Sequence, residues 1–375
     1  MRTLPGLFDL QVNGFGGIDF NAVGLTGDAV TVALQRMRAT GVTRCLPTLI
    51  TSSFDRFAAS ARVLARVSDA ANAGIHMEGP YVSPVDGARG AHPREHVVPA
   101  SIDDFMRRQD AAGGRIVLVT LAPEVDGALR LIEHLAAANV RVAIGHTMAA
   151  PDRIRDAVSA GATLATHVGN GCPQMLPRHP NVIWEQLADD RLCASVIADG
   201  HHVPASTLKA MVRAKGTTRT VLVTDAMAAA GCRVQPPSRR SSGDLRPSGG
   251  GRTPGASAER RVQRTRPTPG ASAERRVQRT RPTSGERYFT IGDVTGELGD
   301  DGRVSLPGTP YLAGSSLTMD RAIANTVRFT GLAIDEVIPM ATTIPAALLG
   351  MTTAGTVCAD WDADAYELHI RSVTP

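Results

Sequence analysis

The chain has 375 residues, 43% of them hydrophobic, enough to bury a large core in one α/β domain or a decorated barrel. Its net charge of +4 comes from one segment, since residues 233–286 hold 13 Arg against 4 acidic residues and the remainder is net acidic, so the charge is no argument for nucleic-acid binding. No apolar run approaches the roughly 18–20 residues that span a bilayer, and five scattered Cys without a CxxC pair exclude a disulfide framework and favour a reducing cytoplasm.

The opening MRTLPGLFDL carries one Arg and a short strand-like run, and lacks the apolar stretch and cleavage site of a signal peptide. Residues 7–13 (LFDLQVN) read as a first strand and 14–17 as a glycine-rich turn. The periodicity then predicts strands at 42–50, 74–82, 115–121, 140–146, 162–167, 192–198 and 218–224. Between them it predicts helices at 28–40, 54–70, 102–112, 125–138, 151–160 and 205–214. Residues 83–99 form a polar loop containing GAHPREH. Eight strands alternating with helices in about 225 residues have the size and rhythm of a (β/α)₈ barrel. A doubly wound sheet also alternates, but it more typically sets a glycine-patterned ligand loop after its first strand. Here the polar groups sit at many strand ends, which favours the closed barrel.

The pattern breaks at 233–286, where PGASAERRVQRTRPT occurs twice, at 254–268 and 269–283. Val262 and Val277 alone cannot make the stacking face of a solenoid. The stretch reads as a disordered spacer, with an anion-binding arm as the alternative. Beyond Tyr288, residues 311–316 (YLAGSS) read as a turn, 317–331 and 334–349 as helices, and the C-terminus as one or two strands. The expected organisation is barrel strands one to eight with a metal site in 1–232 and the insertion in 233–286. The rest of the catalytic domain follows in 287–350, and a remnant of a small β domain in 351–375.

Four apolar runs end in chemically capable residues: Glu78 in HMEGP, His146 in IGHT, His167 in ATHVGN and Asp225 in LVTDAM. Strand C-termini are where barrel enzymes hold their chemistry. One carboxylate and two imidazoles leave an open position on a catalytic zinc ion. Any one of these His could equally be a structural hydrogen-bonding group. Arg178 and His202 follow the sixth and seventh strands and suit a phosphate, though either could be a solvated surface charge.

In this order, DLQVNG, HMEGP, GAHP, IGHT, THVGNG, ADGHHV, VTDA and LAGSSLTM resemble the N-acetylglucosamine-6-phosphate deacetylase family of the amidohydrolase superfamily, over about residues 5–350. The resemblance implies a distorted (β/α)₈ barrel and hydrolysis of N-acetylglucosamine 6-phosphate to glucosamine 6-phosphate and acetate, in amino-sugar catabolism or recycling. It implies one divalent ion, with zinc expected, on Glu78, His146 and His167, and Asp225 as the proton-transfer residue. It places Ala91, His92, Asn170, Gly171, Arg178, His202, Leu312, Ala313 and Gly314 near an amino-sugar phosphate, with His92 offered as a protonated donor to the oxyanion. It leaves a homodimer open, and implies no membrane or nucleic-acid partner. Gln11 and Asn13 stand where many amidohydrolases have a His-x-His pair, so one metal is expected and not two. THVGNGCP replaces the more usual THLFNAM. The small β-sandwich domain is expected to be reduced or missing, because strand one begins within six residues of Met1. Two alternatives stay open: a related amidohydrolase acting on another N-acyl amine or cyclic amide, and a catalytically impaired paralogue.

Overall fold

The computed structural model describes residues 1–232, 287–309 and 311–375, so the insertion and its repeats lie outside the described residues. Eight strands make one parallel sheet: Leu7–Val12, Val42–Ile50, Ile75–Glu78, Ile116–Leu121, Arg141–Ile144, Leu164–Ala165, Cys193–Ile197 and Thr220–Val223. Each pairs with the next in sequence, which is the order of a barrel. The seam between strands one and eight is joined by a parallel bridge from Val12 to Ala226 and by Asp9, whose carboxylate accepts from the Thr224 backbone N–H at 3.2 Å. The sixth strand is two residues long, shorter than its apolar run suggested.

Outer helices follow from amphipathic spacing and from caps. Thr26, Ser53 and Ser101 each accept a backbone N–H at the start of the helices Gly27–Arg38, Phe54–Arg66 and Ile102–Ala111. The helix Val182–Ala188, not among the elements expected from the sequence, starts under Asn181, which accepts from Ile183 and Trp184.

Two smaller sheets correct the sequence reading. The reduced small domain is present: Arg2–Pro5 pairs antiparallel with Thr356–Asp362, and that strand with Glu367–Thr374, so both termini build one sheet. Residues 311–316 do not form a turn. Leu312–Ser315 is the last strand of a four-stranded antiparallel sheet with Tyr288–Ile291, Val294–Leu298 and Arg303–Ser305. This sheet docks on the end of barrel strand eight, where Met227 donates to the Ser315 carbonyl at 2.9 Å. Phe289, Ile291, Leu298, Val304 and Ala313 share a small apolar core there with Ile50 and Met227. Asp19 ties the other end down by accepting from Thr290 Oγ1 at 3.2 Å and from the Gly292 N–H at 2.9 Å.

Candidate active site

Three of the four strand-end residues have left-handed backbones: His146 at φ 51°, His167 at φ 28° and Asp225 at φ 48°. Such a conformation is strained for a residue with a Cβ and gathers at functional positions. Each lies two residues past its strand, so the chain turns sharply and aims the side chain over the barrel mouth. Glu78 is the last residue of strand three.

These side chains meet. Glu78 Oε1 lies 3.2 Å from His146 Nε2 and 3.0 Å from His167 Nε2, and it accepts from Gln11 Nε2 at 2.9 Å. His146 Nδ1 lies 3.1 Å from the Ala88 carbonyl, which accepts the Nδ1 proton and turns the Nε2 lone pair toward Glu78. Two lone pairs facing each other at this distance call for a cation between them. In a tetrahedral zinc site with bonds of roughly 2.0–2.1 Å, ligand atoms stand about 3.3 Å apart, close to what is seen. A second set overlaps the first: the ligand atoms of Glu78, His92 and His146 all lie within 4.8 Å of one another. Glu78, His92 and His146 therefore could hold a divalent metal, and His167 Nε2 stands beside them 3.0 Å from Glu78 Oε1.

Burial alone would raise the Glu78 carboxyl, but the imidazoles of His146 and His167 beside it hold it well below the ordinary range. Burial pushes Asp225 up to about 6, with the Glu78 charge adding to this and His167, His202 and Asn13 opposing it. Asn13 Nδ2 donates to Asp225 Oδ1 at 2.7 Å. Burial and the neighbouring His146 push His92 down to about 3, so this ring is neutral and not the charged donor expected from the sequence. It spans from Thr51 Oγ1, 2.7 Å from Nδ1, to His146 Nε2, 3.2 Å from its own Nε2.

A cavity of about 370 Å³ opens over these groups, within the range of small-molecule sites. Glu78, His146, His167 and Asp225 line it together with Ala91, His92, Asn170 and Gly171. Gly171 has φ 57°, and a Cβ there would sit 2.8 Å from His146 Nδ1, so the backbone closes on the ring only because the side chain is absent. His202 also lines the cavity; its Nδ1 is 2.6 Å from Asp199 Oδ2, which orients the ring. Leu312, Ala313 and Gly314 line the cavity as part of a strand of the small sheet. Arg178 does not line this cavity. It is exposed in the loop before the helix Val182–Ala188. Arg303, Tyr311 and His201 do line it, and the sequence reading missed all three. His201 was legible as the neighbour of His202, but Arg303 was not, because its strand was unrecognised.

A Glu, two His and an Asp at the C-terminal mouth of a parallel barrel are the arrangement of a hydrolase that works with a divalent metal. No family model matches the chain. It is 36% identical over 237 residues to N-acetylglucosamine-6-phosphate deacetylase of Bacillus subtilis (strain 168), covering 61% of this chain and 59% of that protein, less than two thirds of the relative's length. It is 31% identical over 357 residues to N-acetylgalactosamine-6-phosphate deacetylase of Escherichia coli O157:H7, covering 92% of this chain and 78% of that one. The solved structure of an N-acetyl-D-glucosamine-6-phosphate deacetylase mutant from Mycobacterium smegmatis, in complex with N-acetyl-D-glucosamine-6-phosphate, matches with a TM-score of 0.78 at 27% identity, covering 98% of this chain and 85% of that one. The chain belongs to the N-acetylglucosamine-6-phosphate deacetylase family of the amidohydrolase superfamily.

Proposed function

We propose that the chain hydrolyses the acetamide of an N-acetylhexosamine 6-phosphate, with N-acetylglucosamine 6-phosphate as the first candidate. The observation that carries this reading is the convergence of Glu78, His146, His167 and Asp225 in one cavity. Glu78, His146 and His167 would hold a divalent ion, with zinc favoured by the nitrogen-rich set, and the ion would supply a polarised carbonyl and more acidic water. Asp225, with Oδ1 held by Asn13, accepts a proton from the attacking water and returns it to the sugar nitrogen, which is otherwise too basic to leave. His92, neutral and anchored on Thr51, donates its Nε2–H to the carbonyl oxygen as charge builds there.

The phosphate needs donors and positive charge at the far side of the cavity. His202, oriented by Asp199, and Arg303 supply them, and Asn170-Gly171 adds an amide and a close-approaching backbone. Anchoring a non-reacting phosphate there positions the acetamide over Asp225. Arg178, expected to share this task, stands outside the cavity. The galactosamine epimer is the second reading, favoured by the match to the Escherichia coli relative. Free Cys45, Cys172, Cys193, Cys232 and Cys358 suit a reducing cytoplasm, and no helix among the described residues is long and apolar enough to cross a membrane.

The test is acetate release from the two N-acetylhexosamine 6-phosphates and from the unphosphorylated sugars. Turnover confined to phosphorylated sugars supports the reading. Failure on all four substrates by metal-loaded protein refutes it.

A further inference from the structure

Strand one turns a run of buried polar side chains toward the active site. Asp9, Gln11 and Asn13 alternate onto one face and are buried, with exposures of 0%, 2% and 2%. Each reaches a different group of the active site. Asp9 accepts from Thr224, the residue before Asp225. Gln11 Nε2 donates to Glu78 Oε1 at 2.9 Å, and Asn13 Nδ2 donates to Asp225 Oδ1 at 2.7 Å.

We propose that Gln11 and Asn13 are a divided pair of positioning residues: Gln11 fixes the carboxylate that holds the metal, and Asn13 fixes the carboxylate that carries the proton. This deepens the deacetylase reading and, for Asn13, rests on it.

The geometry separates the two roles. A carboxylate on a short side chain rotates freely unless one oxygen is pinned. Gln11 pins Oε1 of Glu78, the same oxygen that faces both imidazoles, so the amide sets the direction from which Glu78 meets a cation. Asn13 pins Oδ1 of Asp225 and leaves Oδ2 without a hydrogen bond among the described residues, so Oδ2 is the oxygen turned to the reacting atoms. Among the described residues, the bond to Asp225 is the only side-chain hydrogen bond of Asn13, because its own Oδ1 is buried without a partner there. The Asn13 backbone is held independently by its N–H to the Ala226 carbonyl at 2.7 Å, so removing the amide leaves the strand docked.

The experiment is a double dissociation on full-length protein, using Gln11→Met and Asn13→Leu, which keep side-chain bulk and delete the donor. Zinc affinity is measured by competition with a chromophoric chelator, without substrate. Kinetics are measured at saturating zinc. Gln11→Met is expected to weaken zinc binding about 10–100-fold while kcat recovers to near wild type once zinc saturates. Asn13→Leu is expected to leave zinc affinity within twofold, and to lower kcat at least about tenfold with little change in KM. Asn13→Asp, which is still polar and the same size, guards against misfolding of the leucine variant and is expected to lose more, because two carboxylates then face each other. Equal profiles for the two positions, or no change at either, overturn the proposal. If wild-type protein hydrolyses no N-acetylhexosamine phosphate, the functional reading fails, while the zinc arm on Gln11 is still read and still decides its half.

Discussion

His92 and His146 face each other Nε2 to Nε2 at 3.2 Å, a separation that one proton can bridge and two cannot. With the His146 Nδ1 proton given to Ala88 and His92 neutral, His92 is the donor of this pair and His146 the acceptor. A cation on His146 would release the His92 N–H toward substrate. His167→Ala should therefore reduce bound metal from about one per chain toward none. His92→Ala should keep the metal and lose kcat by about 10²-fold or more. Equal metal loss in both variants would place His92 among the ligands and overturn this division.

Asp225→Asn preserves size and cannot take and return a proton. The variant should fold and bind metal normally, and lose roughly 10²–10⁴ in kcat. A loss below about tenfold, at full metal loading, would remove Asp225 from the proton-transfer role.

Arg303 and His202 face the cavity and should carry the preference for phosphorylated sugar. Arg303→Ala should lower kcat/KM for the 6-phosphate by about tenfold or more and spare the neutral sugar, so the ratio of the two narrows. His202→Ala should act in the same direction. A ratio that stays put in both variants would mean that the phosphate lies elsewhere.

Gly171 tests how closely the backbone supports His146. Gly171→Ala introduces a Cβ at 2.8 Å from His146 Nδ1 on a backbone with φ 57°, so the ring must move away from Ala88 and Glu78. Metal affinity should fall about tenfold or more while the far-ultraviolet spectrum is unchanged. Wild-type affinity in this variant would show that the contact is slack.

Asp19 predicts a pH dependence of stability. Burial raises its carboxyl to about 7 despite hydrogen bonds from Asn21, Gly292 and Thr290. The folded chain thus binds this proton more tightly than the unfolded chain. The resulting stability is present below about pH 4 and is lost as pH rises through about 7. Asp19→Asn removes the titration while losing one acceptor toward Gly292 and Thr290 or toward Asn21, so beyond a fixed offset its melting temperature should gain on wild type between pH 5 and pH 8, by about 2 °C or more. A constant offset across that range would show that Asp19 does not titrate there.

The sequence by itself determined the alternation of strands and helices, because hydrophobic periodicity and capping residues such as Thr26 and Ser53 act within a few neighbours. It also placed Glu78, His146, His167 and Asp225 at strand ends, since an apolar run that stops at a polar residue marks the rim of a barrel. Tertiary structure decided the rest, through partners far apart in the chain. Residues 2–5 became a strand by pairing with 356–359, and Leu312–Ser315 joined a sheet beside the strand Arg303–Ser305. That sheet brought Arg303 to the cavity, while Arg178, on the loop after strand six, stayed outside. His92 became neutral only by being buried beside His146. Gln11 and Asn13 acquired their partners across 67 and 212 residues. Burial, charge and hydrogen-bond direction depend on which groups surround a side chain in space, and local sequence pattern carries no record of that.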